Sequence, residues 1–136
     1  MLVGQSGGAA VAIAMLTLGR TDVACVVGAS GEYSAAEQRY DVVDYVGRIK
    51  SDPARRILLI GDPEDRNAAF KLQRSFAEKI RSAGHAVVLL EVEGKGPDRH
   101  LLDHLANPAA AMCARDMSLE HIVEWIGAKL VALEER

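Results

Sequence analysis

Met1-Leu2-Val3-Gly4-Gln5-Ser6-Gly7-Gly8-Ala9, continuing through Ala10 to Leu18 without a charged residue, decides how this chain is read. Three apolar residues run into a glycine-rich turn, and the turn opens directly onto an apolar run of about ten residues. A helix with no polar face is a buried one, and Gly19 stands where a left-handed residue stops a helix. Strand, tight turn and buried helix together begin a parallel α/β unit. The apolar run is about half of what a bilayer crossing takes. No basic leader precedes it, so neither a membrane span nor a signal peptide is expected.

Working outward, Asp22 to Gly28 (DVACVVG) is a near-continuous apolar run of the kind found in a parallel strand covered on both faces. Arg56 to Gly61 (RILLIG) and Ala86 to Val92 (AVVLLEV) read the same way. Between those two, a helix after the Asp62-Pro63 break runs through Ala83, with Leu72, Phe76 and Ile80 on one face and Gly84 as its stop. Ser118 opens a last helix whose buried stripe is Ile122, Ile126 and Leu130. The expected fold is α/β, a parallel sheet with helices on both faces, forming one domain over 1–136. Residues 29–53 make a longer, more polar connection, expected as a small cap with a short helix around Asp41 to Ile49.

A chain of 136 residues suffices for one domain, whereas a full strand–helix barrel needs about 250. A formal charge of -3 and the lack of a basic stripe argue against nucleic acid and anionic membrane as partners. Aromatics are only 4%, so the core must come from Ala, Val, Ile and Leu. Cys25 and Cys113 form no CxxC pair and read as buried small hydrophobes. The expected location is cytoplasmic.

Gly4-Gln5-Ser6-Gly7-Gly8 fits G-x-S-x-G in the strand-to-helix context that gives the pattern meaning. A sharp turn there aims the Ser6 hydroxyl out of the sheet, and the glycines on either side are expected to crowd each other. The Gly7 amide, at a helix N-terminus, would face an oxyanion in front of Ser6. The same turn could instead serve close packing or cradle a phosphate. A serine nucleophile needs a base, and the base an acid, in the order Ser, Asp or Glu, His. Asp65 is the preferred acid, since carboxylates past the C-terminal end of a parallel strand lie on the ligand-binding side. Asp62 and Glu64 are the fallbacks, and turn capping is the ordinary use of Asp in such a loop. Arg66 is a cation that could pair with an acid there or simply be solvated. His100, in the loop after AVVLLEV, is the base candidate. His104, four residues on, raises a two-histidine zinc site as a weaker alternative, whereas His85 and His121 read as surface positions. No cofactor is expected.

These residues resemble the α/β-hydrolase superfamily, in particular its prolyl-oligopeptidase-like and dienelactone-hydrolase-like serine hydrolases. The resemblance rests on Gly4-Gln5-Ser6-Gly7-Gly8, on Gly61-Asp62-Pro63-Glu64-Asp65 after a strand, and on Gly94-Lys95-Gly96-Pro97-Asp98-Arg99-His100, and it spans nearly the whole chain. It implies Ser6 as nucleophile, Asp65 as acid, His100 as base and Gly7 as an oxyanion donor, acting on a small-molecule or peptide acyl substrate. Members of that family carry several strands before the turn, and here only Met1 to Val3 stand there. The resemblance is therefore to a C-terminal half, with its first strand at an open edge and with weakened activity. A non-catalytic module, pairing through that edge with another chain or a second copy, is the alternative of a different class. A phosphate-binding module is the third.

Overall fold

Alternation decides the layers. Cys25, Val27 and Ala29 point to one side of their strand and Val26 to the other, and Leu58 and Ile60 oppose Ile57 and Leu59 in the same way. With apolar residues in both sets, each strand needs cover on both faces. The computed structural model describes residues 1–19, 22–31, 33, 46–127 and 129–131. Its elements are β1 (Leu2–Gln5), α1 (Gly7–Thr17), β2 (Cys25–Ala29), β3 (Arg56–Gly61), α2 (Phe70–Ser82), β4 (Val87–Glu91), α3 (Asp103–Ala114), α4 (Leu119–Ile126) and β5 (Lys129–Val131). The strands form one sheet in the order β1-β2-β3-β4-β5. β1 to β4 are parallel, and β5 joins β4 antiparallel.

One face is covered by α1 and α2, through Ala9, Ile13 and Leu16 from the first and Phe76, Ala77 and Ile80 from the second. Two crossovers stepping the same way along a sheet with the same hand put their helices on the same side. The other face is covered by α3 and α4, through Ala106, Ala109, Ala110 and Ile122. The fold is thus α/β with helices on both faces. Among the described residues, no helix is long and apolar enough to cross a membrane.

Several expectations are corrected. α1 is buried on one side only: Val11 is 61% exposed, as is Leu18 (71%) just past its end, so uniform apolarity here did not mean uniform burial. In α2 the inward residues are Phe70, Gln73, Phe76, Ala77 and Ile80, and Leu72 faces outward. The last helix ends at Ile126, because Gly127 takes the left-handed conformation (φ 65°), and Leu130 lies in β5. His85 is buried, whereas His121 is exposed as expected. Cys25 and Cys113 are not merely buried; they form a disulfide between β2 and the last turn of α3. α3 has no counterpart among the expected elements, and it holds Pro108 in its interior, where a proline ordinarily breaks a helix. Of the expected cap, residues 34–45 lie outside the described residues, as does most of its helix. Tyr33, Val46 and Ile49 go into the core beside α1 and α2, where Tyr33 stacks on Phe76 with ring centroids 4.3 Å apart.

Candidate active site

Four parallel strands end on the same side of the sheet, so side chains at the C-terminal ends of β1, β2 and β3 and in the loop after β4 share one rim. Ser6 follows β1 at once. Its backbone N–H continues the ladder to the Ala29 carbonyl at 2.8 Å, and the chain then reverses into α1 with Ser6 at φ 57°, ψ -122°. That conformation is costly for any residue with a Cβ. Ser6 occupies the N-cap position, where a serine hydroxyl ordinarily accepts from the helix, yet its side chain makes no cap hydrogen bond. The hydroxyl is turned toward the rim instead.

The glycines flanking Ser6 differ in what they need. A Cβ on Gly4 would fall on the Gly8 carbonyl, whereas one on Gly8 would meet nothing. The expected mutual crowding is therefore one-sided. Gly7 opens α1, where a backbone N–H has no intrahelical acceptor and the helix dipole favours negative charge.

Ser6 Oγ lies 2.8 Å from His100 Nε2, and His100 Nδ1 lies 2.7 Å from Asp65 Oδ2. The three residues are 35 and 94 positions from one another along the chain, yet they form one continuous relay. The side chain of Asp65 is fully buried and that of His100 is 15% exposed. Asp65 divides its oxygens: Oδ1 accepts from the N–H groups of Asn67 at 2.8 Å and Ala68 at 3.0 Å, which leaves Oδ2 for the imidazole. Capping and relay are thus carried by one carboxylate. With the proton on Nδ1 donated to Asp65, Nε2 is left as an acceptor for the Ser6 hydroxyl.

The two fallback acids are placed elsewhere. Asp62, fully buried, accepts from Glu64 N–H through Oδ1, and from Gly94 N–H at 2.7 Å and Arg99 Nε at 2.8 Å through Oδ2. Burial pushes its carboxyl up, but the Gly94 and Glu64 amides and the Arg99 guanidinium outweigh burial and hold it below its usual 3.8. Glu64 is exposed and pairs with the same guanidinium. Arg99, rather than the exposed Arg66, is the cation of this loop. Both ring nitrogens of His100 are taken up by Ser6 and Asp65, so the pairing with His104 that a zinc site would need is not made. Among the described residues no group of three metal-ligating side chains occurs.

Two further residues at the rim carried no motif. Gln5 Nε2 donates to the His100 carbonyl at 2.9 Å, and Gln5 Oε1 accepts from Leu102 N–H at 2.9 Å. Ser30 Oγ donates to the same carbonyl at 2.7 Å. The available signal was a polar side chain closing an apolar run, in Gly4-Gln5 and in Ala29-Ser30. A hollow of about 200 Å³ beside His100 is bounded by Asn67, Lys95, Pro97, Asp98 and Leu101. A larger one, about 490 Å³, lies across Arg99 against Val92, His104 and Ile126, and neither Ser6 nor His100 lines it. Of the two, only the smaller is bordered by His100, and Ser6 lines neither. No protein-family model, curated protein or solved structure matches this chain.

Proposed function

We propose that this chain is a serine hydrolase of the α/β-hydrolase type, acting on an ester or peptide-like acyl bond. The observation that carries the reading is the Ser6–His100–Asp65 relay, with contacts of 2.8 and 2.7 Å, mounted on a turn that holds Ser6 at positive φ. A surface serine hydroxyl gains nothing from such a conformation, and a nucleophile does: it is lifted clear of the sheet and fixed against its base.

In this reading His100 Nε2 takes the Ser6 proton as Oγ attacks the acyl carbonyl, and the buried Asp65 carboxylate steadies the imidazolium that forms. The Gly7 N–H, at the positive end of α1, faces the oxyanion. His100 returns its proton to the leaving group, and an acyl-Ser6 ester remains. Water, deprotonated by the same imidazole, releases the acid and restores Ser6. The reaction needs no metal or cofactor, because the hydroxyl, the base and the backbone donor supply each charge change.

Rapid mixing with a p-nitrophenyl ester tests the two-step scheme. A burst of nitrophenolate approaching one equivalent per chain, absent from Ser6→Ala, is the expected outcome. Release that is equally fast in Ser6→Ala contradicts it.

A further inference from the structure

We infer that Gln5 is a positioning residue that fixes the distance between His100 and Ser6, an inference that rests on the hydrolase reading for its catalytic meaning. Gln5 ends β1 and is joined to Ser6 by one peptide bond, so its main chain sets the nucleophile. Its side-chain amide reaches across to the loop that carries the base. There Nε2 meets the carbonyl of residue 100 and Oε1 meets the N–H of residue 102, as a neighbouring strand would. A primary amide presents a donor and an acceptor a fixed distance apart. It therefore sets both the height and the tilt of the His100 backbone relative to β1.

Ser30, directly after β2, donates to the same carbonyl. It is fully buried at φ 51°, and Arg99, next to His100, stands at φ 56°. Of the four non-glycine residues at positive φ among those described, Ser6, Ser30 and Arg99 all belong to this arrangement. Backbone cost concentrated in this way persists only where the surroundings over-determine it. The rest of the loop has its own supports. Lys95 and Leu101 exchange backbone hydrogen bonds at 2.9 and 3.1 Å, and Arg99 is tied to Asp62. Loss of the Gln5 amide should thus leave the loop folded but let His100 move relative to Ser6.

The test compares the full chain with Gln5→Met, which removes donor and acceptor at similar length, and Gln5→Glu, which keeps the acceptor for Leu102 but loses the donor. Two readouts are used. The first is the rate of Ser6 labelling by a fluorophosphonate, expected to fall on the order of 10- to 100-fold in both variants, because a misplacement near 1 Å costs about that much. The concentration for half-saturation should be unchanged, which a general loss of structure would not leave alone. The second is the His100 Nδ1 proton, followed by NMR as a slowly exchanging resonance that depends on Asp65. It should exchange faster in both Gln5 variants and stay slow in Ser6→Ala. Wild-type rates for label and proton in Gln5→Met and Gln5→Glu overturn the inference. If the parent chain shows the resonance but takes no label, the hydrolase reading fails and the proton alone decides the positioning role. If the parent chain takes the label but shows no resonance, the hydrolase reading stands and the labelling rates alone decide the positioning role.

Discussion

At the residue scale the site turns on one glycine. Gly4 lies directly beneath the Gly8 carbonyl, so any side chain at position 4 must push the helix start away from the strand. Gly4→Ala is therefore expected to destabilise the fold by about 3 kcal/mol, the cost of overpacking a rigid contact. Gly8→Ala meets open space at a helical position and is expected to stabilise by about 0.5–1 kcal/mol through the lost freedom of the unfolded chain. Denaturant titration of the two variants checks this asymmetry, and equal effects would contradict it. The turn was legible because its constraint is local: five consecutive residues between a strand and a helix hold the whole geometry. Ser6, Asp65 and His100 could be picked out because each lies in the connection that follows a recognisable strand. Gln5 and Ser30 could not, since their partner is a main-chain carbonyl far along the sequence and no residue pattern announces a carbonyl.

At the element scale α3 joins the site to the rest of the sheet. It starts directly after Leu102 and runs back over β1 and β2, where Cys113 bonds Cys25 across 88 residues with Cα atoms 6.4 Å apart. Pro108 inside the helix removes the hydrogen bond to the His104 carbonyl. Packing of Ala106, Ala109 and Ala110 on the sheet makes up for that loss. Local preference points the other way at both places: a proline ordinarily breaks a helix, and the cysteines read as buried small hydrophobes. Local preference yielded to tertiary contact. Arg56 closes the C-terminal end of α3 by donating to the Cys113 and Met117 carbonyls. The double variant Cys25→Ala, Cys113→Ala is expected to lose about 2–5 kcal/mol in denaturant unfolding, because the bridge closes a long loop in the unfolded chain. An unchanged midpoint would contradict a formed bridge. Disulfides of this sort persist in oxidising compartments.

At the scale of the whole molecule, parallel alignment brings the ends of β1, β2 and β3 to one rim, and each delivers polar groups to the loop after β4: Gln5 and Ser6, Ser30, and Asp62 with Asp65. The direction of the sheet was legible from four apolar runs and the spacing between them. The antiparallel β5 was not, because Leu130 continues the fourfold spacing of Ile122 and Ile126, which suits a helix equally well. Acid acts on the molecule through His85, whose imidazole is held below its ordinary 6.5 by burial first and then by the Arg55 charge. The unfolded chain then binds the proton more readily than the fold does, so stability is lost as pH falls from 6.5 through the depressed folded value. A melting temperature that drops by a few degrees over that window, and drops less in His85→Gln, is the expected result; parallel curves would contradict it. The central claim is that Ser6 is an activated nucleophile, and the most direct measurement is intact and peptide mass after exposure to a fluorophosphonate. One adduct per chain, located on Ser6 and lost in both Ser6→Ala and His100→Ala, is predicted. An unmodified chain, or an adduct that survives Ser6→Ala, would contradict it.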